Sequence, residues 1–232
     1  MHANNDINAQ NIFVQLLGQA QARGPQGAVG GGQLVLIGSA HSQSGTSYIA
    51  RSLAFAAASH FTPLGRRVLL LDYDLYKQSQ LQSVMNVGPV QGPYDASFGV
   101  TPFWDVRAGV LENSPSLNAG SYASLYLQDH SGLAVSIFRW DQIGANQSVK
   151  VVSAPDYWHA LRQNFAMVIV DAPAADRTNM SATLYPHMDN IAIVAQTHNA
   201  ASAQTLQMAK DVQRFGGQFS GLILNDNGSG QS

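Results

Sequence analysis

The stretch "VLIGSAHSQSGTSYIARSLA", residues 35–54, decides how the rest of the chain is read. An apolar start, a run of small residues and an alanine-rich continuation predict a strand, a tight turn and a helix. That is the local architecture of a phosphate-binding loop, in which backbone N–H groups at a helix N-terminus face an anion. The pattern GxxxxGK[ST] adds a lysine for the phosphates and a hydroxyl for Mg²⁺. Here the frame reads Ala40, His41, Ser42, Gln43, Ser44, Gly45, Thr46, Ser47. Gly45 and Ser47 keep the pattern, and threonine stands where the lysine belongs.

The chain around this stretch is long enough, at 232 residues, for one large α/β domain with a buried core. Only 11% of its residues are charged, against roughly 25% in an average globular protein. A net charge of -2 and no basic cluster beyond Arg66 and Arg67 leave no footprint for nucleic acid and no polybasic membrane patch. The absence of cysteine excludes disulfides, thiolate metal sites and thiol catalysis. The start "MHANNDINAQ" lacks the charged and apolar regions of a secretory signal, and no apolar run approaches membrane-spanning length, so no direct membrane insertion is expected.

Six short apolar runs, at 33–38, 66–72, 133–137, 165–171, 190–196 and 219–225, lack polar alternation, as strands buried on both faces do. Helical stretches are predicted at 46–59, 75–86, 155–164, 179–186 and 200–215. Strands alternating with helices imply a doubly wound, mainly parallel sheet: a three-layer α/β/α sandwich with about six to eight strands. Residues 8–22 predict a short amphipathic helix that buries Ile12, Leu16, Leu17 and Ala20. The organisation expected is a helix and Gly-rich linker over 1–32, the phosphate-loop-like domain over 33–226, and a flexible tail over 227–232. Within the domain, 88–130 is atypical: rich in Gly, Pro, Ser and Tyr, it is expected to hold partial helix and long loops.

Two further segments give the loop its context. "VLLLDYDLYKQ" ends a strand in Asp72 and Asp74, and "MVIVDAPA" ends another in Asp171 followed by Pro173. In doubly wound sheets ligands bind at the carboxyl ends of strands, where such acids orient Mg²⁺ and a nucleophile. On these residues the sequence resembles the cytoplasmic domains of bacterial tyrosine autokinases that regulate polysaccharide export, within the larger group of MinD- and ParA-like phosphate-loop ATPases. That family follows its loop with a strand ending in DxD and a later strand ending in DxPP or a close relative. The likeness runs from about residue 33 to 226 and includes "HALRQNFAMVIVDAPA" and "FSGLILN".

The resemblance implies a nucleotide loop at Ser44, Gly45, Thr46 and Ser47, with Mg²⁺ on Ser47, Asp72 and Asp171. In an active relative Asp72, Asp74 and Asp171 would carry the chemistry. The departures argue the other way. The lysine is Thr46, no Lys or Arg within the loop replaces it, and a family glycine is Ala40. The tyrosine cluster that closes active autokinases has no counterpart in "LILNDNGSGQS", and the ring-forming ExxRxxR motif becomes Asn11, Val14 and Leu17. Each acid also has a plainer use, since strand-end aspartates cap following helices. His41 reads as a surface histidine, and the other histidines show no metal-ligand spacing.

The expectation is therefore a degenerate, non-enzymatic pseudokinase with no resident cofactor, against the alternative of a loop that still takes Mg²⁺·ATP or Mg²⁺·ADP. By the resemblance it would be a cytoplasmic scaffold of an exopolysaccharide system, for example one making an adhesive capsule or holdfast. Its partner would be the cytoplasmic segment of an inner-membrane polysaccharide co-polymerase, which would recruit it to the membrane, and self-association is open. The alternatives are an active ATPase or tyrosine kinase with a non-standard loop, and a positioning ATPase of the MinD or ParA type. Tyr73, Tyr76, Tyr122, Tyr126 and Tyr157 are candidate phosphoacceptors. The set Tyr94, Phe98, Phe103 and Trp104 serves either a partner or internal packing.

Overall fold

Every residue of strand β1 (Gln33–Gly38) beyond the first is buried, yet its side chains divide between two cores. Leu34 and Leu36 join one cluster, and Val35 and Ile37 join the other, on the opposite face. The period-2 geometry of a strand forces that division, and it makes β1 the middle of a three-layer structure. The computed structural model describes residues 2–22, 31–109, 116–117, 122–178 and 180–226. The expected linker at 23–30 and tail at 227–232 lie outside the described residues.

The remaining strands of the main sheet are β2 (Val68–Asp72), β3 (Val90–Asp95), β5 (Ala123–Gln128), β6 (Leu133–Phe138), β8 (Met167–Asp171), β9 (Asn190–Ala195) and β10 (Phe219–Leu224). With β1 they make an eight-stranded sheet in the order β10-β9-β1-β8-β2-β6-β5-β3. Pairing is parallel from β10 to β6, and β5 and β3 add antiparallel at one edge. The architecture is the α/β sandwich with a mainly parallel sheet that the sequence predicts.

Helix α2 (Thr46–Phe61) lies on one face through Ala50, Leu53, Ala54 and Ala57, and the three alanines let helix and sheet approach closely. Helix α1 (His2–Ala22) packs on α2. Its buried stripe is Ala9, Phe13 and Leu16, with Ile12 and Leu17 at the margins. Leu16 is thus buried as predicted and Ile12 and Leu17 partly so, while Phe13 joins the stripe by setting its ring edge-on against Phe61; the Ala20 side chain lies outside the described ones. The opposite face carries α4 (Pro155–Asn164) and α5 (Ala203–Arg214), with a 3-10 segment, Met180–His187, where a helix over 179–186 is expected.

Two expectations are corrected. The predicted helix at 75–86 is only α3 (Gln80–Met85), because Asp74 Oδ1 first accepts the N–H groups of Tyr76 and Lys77 in a separate turn. The segment 88–130 holds strands rather than helix among its described residues: β3, β4 (Trp104–Arg107) and β5. Strand β4 pairs with β7 (Ser148–Val151) in a second, two-stranded antiparallel sheet. Aromatic packing explains the difference. Phe103 and Trp104 are buried against Tyr157, Trp158 and Phe138, which anchors β4 over the sheet instead of leaving a loop in solvent. Of the aromatic set in this segment, Tyr94 is exposed and Phe98 is partly buried against the same core.

Trp104→Ala empties one of the largest fully buried positions. It should cost about 3–5 kcal/mol in urea unfolding, while Tyr94→Ala on the exposed edge strand should stay within about 0.5 kcal/mol.

Candidate functional site

The strand order brings the ends of β1, β2 and β8 together. Because β8 lies between the other two, Asp72 closes β2 directly beside Asp171, its register partner at the end of β8. The loop that leaves β1 reaches α2 through Gln43 (φ 63°) and Gly45 (φ 85°), both left-handed. Glycine is required at 45, since an added Cβ would meet Asn225 Nδ2 at 2.0 Å. That same amide, just past β10, donates to the Ser44 carbonyl at 3.0 Å. Within the turn, Ser39 and Ser44 both donate to the His41 carbonyl. The His41 ring is bonded at 2.9 Å to Ser202, the N-cap of α5, so it ties the loop to a neighbouring element and is not simply a surface histidine.

Asp72 and Asp171 are both nearly inaccessible, at 3% and 4% exposure. Asp72 Oδ2 accepts the Ser79 and Gln80 N–H groups at 2.9 and 3.2 Å and so caps the start of α3. Asp171 Oδ2 accepts the Gln80 side-chain amide at 2.7 Å. The same amide nitrogen donates to the Ser47 carbonyl at 2.9 Å, and Gln80 Oε1 accepts Arg51 Nη1 at 3.1 Å. The remaining oxygens, Asp72 Oδ1 and Asp171 Oδ1, are buried without a hydrogen-bond partner among the described residues.

Burial, reinforced by the neighbouring Asp171 charge, pushes the Asp72 carboxyl up to about 8. Burial likewise raises Asp171 to about 6, while Gln80 and the nearby Ser47 hydroxyl, which makes no well-formed bond to Oδ1, oppose the shift. Desolvation also lowers the pKa of Arg51, whose charge favours ionised Asp171.

Asp74 is engaged differently. Its Oδ2 forms a 2.6 Å ion pair with Arg177, beyond β8. Asp176, next to that arginine, accepts both the N–H and the hydroxyl of Ser42 at 2.7 Å, so a carboxylate of the chain itself holds one side of the loop. A cavity of about 370 Å³ opens over these groups, with Lys77 and Arg177 in its wall beside Ser44, Gly45 and Ser47. Thr46 is buried.

The candidate loop, catalytic and metal residues of the sequence thus converge: Ser44, Gly45, Thr46, Ser47, Asp72, Asp74 and Asp171 line or underlie one cavity. Sequence reasoning missed Gln80, Arg51, Arg177, Asp176 and Asn225. For two of them a signal existed, since Arg177 and Asp176 closely follow the DAP motif and lie at the same sheet end. Of the five candidate phosphoacceptors, Tyr73, Tyr122 and Tyr157 are buried and Tyr126 is partly so; Tyr76 is exposed, with its ring against Trp140.

No protein-family model matches the sequence, and no curated protein matches it. Solved structures do. The VpsO kinase domain superposes with a TM-score of 0.54 at 16% identity, covering 97% of this chain and 98% of that one. The kinase domain of the Escherichia coli tyrosine kinase ETK gives 0.52 at 16%, covering 83% and 67%. The Pyrococcus furiosus cell-division ATPase MinD gives 0.54 at 18%, covering 84% and 72%. The fold is that of these kinase domains and of MinD. Among the described residues, no helix is long and apolar enough to cross a membrane.

The two raised acids set a pH dependence. A carboxyl that keeps its proton to about pH 8 when folded loses it near pH 4 when unfolded. Between those values the folded state binds more protons, so stability is fully present at the acid end and falls as pH rises, by at most about 1.4 kcal/mol per pH unit per group. Asp171 contributes to the decline up to about pH 6. Urea unfolding across this interval should show the fall, and Asp72→Asn should flatten its upper part. Stability that rises from weakly acid to weakly alkaline pH would contradict the assignment.

Proposed function

We propose that this chain is a catalytically degenerate, kinase-like scaffold of a bacterial exopolysaccharide synthesis and export system. It would act in the cytoplasm, docked on the cytoplasmic segment of an inner-membrane polysaccharide co-polymerase that recruits it to the membrane. The fold shared with the VpsO and ETK kinase domains supports the setting.

The observation that carries the loss of chemistry is the engagement of the site's acids by the chain's own groups. Phosphoryl transfer depends on positioning and charge stabilisation, with carboxylates free for metal and nucleophile and a lysine on the phosphates. Here Asp74 is held by Arg177, Asp72 by the α3 backbone and Asp171 by Gln80, and Thr46 offers no charge. The free Oδ1 atoms of Asp72 and Asp171 suit a cation, but Gln80 already takes Asp171 Oδ2 together with the Ser47 carbonyl, and the α3 backbone takes Asp72 Oδ2, so each carboxylate is left with one oxygen. The residues as arranged do not fit the Mg²⁺–nucleotide that the resemblance implies.

Calorimetric titration with Mg²⁺·ATP and Mg²⁺·ADP should give no binding heat, and Asp72→Asn should still capture a co-polymerase tail in a pull-down. A wild-type chain that captures no such tail would remove the partner assignment.

The second reading is a working ATPase or tyrosine kinase. Lys77 and Arg177 in the cavity wall favour it, because they could supply charge that the loop lacks. Nucleotide binding that disappears in Asp72→Asn would establish that reading and overturn the scaffold.

A further inference from the structure

Gln80 is inaccessible to solvent, and every hydrogen-bonding group of its side chain is used. The nitrogen donates to Asp171 Oδ2 at 2.7 Å and to the Ser47 carbonyl at 2.9 Å, and the oxygen accepts Arg51 Nη1 at 3.1 Å. The orientation is determined by these partners. Turned the other way, the amide oxygen would face a carboxylate and a carbonyl, and its nitrogen would face a guanidinium, so each contact would oppose like groups. Its backbone N–H meanwhile donates to Asp72 Oδ2.

One uncharged residue therefore joins the start of α2, the end of β8 and the strand–helix connection after β2. Those are the elements that a divalent cation, held by a loop hydroxyl and strand-end carboxylates, would have joined. The amide differs from a cation in two respects. It is covalently part of the chain, so the cross-link never dissociates. It also brings no positive charge, so it offers nothing to a phosphate.

We propose that the Gln80 carboxamide, steadied by Arg51, is a built-in substitute for the cation at this site, fixing the loop face in one shape without metal or nucleotide. This rests on the reading of the site as non-catalytic, and it adds that the face presented to a partner is constitutive rather than switched. Arg51 and Gln80 are positioning residues in this account, since each acts by holding Asp171 and Ser47.

The test is a titration with Mn²⁺ as the probe, followed by the free-ion paramagnetic signal and by melting temperature. Gln80→Glu turns the amide donor into a third carboxylate facing Asp171 and the Ser47 carbonyl. Without metal it should melt several degrees below wild type. It should bind one Mn²⁺ at a concentration about tenfold or more below any at which wild type takes up the ion, and Mn²⁺ should restore its melting temperature. Should Gln80→Glu not fold, Arg51→Met carries the test, because it leaves Gln80 and both acids but frees the amide to turn. Mn²⁺ uptake absent in wild type should then appear. Wild type binding Mn²⁺ as tightly as the variants, or no uptake by any folded variant, would overturn the proposal. Failure of wild type to capture a co-polymerase tail, with Mn²⁺ still ignored, would remove the scaffold assignment and leave the cation substitute standing.

Discussion

Two carboxylates lie side by side at the inner ends of neighbouring parallel strands, and the arrangement of the loop face follows from the need to hold them there. Strand β8 between β1 and β2 makes Asp72 and Asp171 register partners in a place that solvent barely reaches. Buried charge is costly unless it is paired, bonded or neutralised. A phosphate-loop enzyme meets that cost with a metal ion and a lysine. In the proposed reading this chain meets it with backbone N–H groups at the start of α3, a neutral amide, and a burial that pushes the Asp72 carboxyl up to about 8 and Asp171 to about 6.

Further internal bonds brace the loop. Asp176 accepts two bonds from Ser42, and Asn225 takes the Ser44 carbonyl. Arg177 closes on Asp74, and His41 on the N-cap of α5. Each of these spans a long sequence separation, so the loop is held by α5, the β10 end and the segment after β8 at once. A turn so cross-braced needs no bound anion to keep its shape. In the proposed reading, that separates the architecture from the chemistry it resembles.

The sheet was legible in the sequence because its strands are buried on both faces and its helices alternate with them, a pattern that depends only on neighbours along the chain. Asp72 and Asp171 were legible because acids at strand ends fall at the sheet's carboxyl edge whatever else happens. Gln80 was not. A single neutral residue in a polar stretch carries no periodic signal, and its meaning lies in partners on α2, β8 and β2. Strands β3, β4, β5 and β7 were hidden, and for β4 the reason is related: it pairs with a segment far along the chain, and the aromatic packing that fixes it comes mostly from α4 and β6.

The most direct measurement is on the Gln80 side chain itself, by observing its two amide protons in nitrogen-15 spectra of the folded protein. An amide that donates to Asp171 and Ser47 without solvent contact should show two separate signals, slow to exchange with water and unmoved by Mg²⁺·ADP. Rapid exchange, or a large shift on adding Mg²⁺·ADP, would show that the amide does not hold the site closed, and would contradict the account.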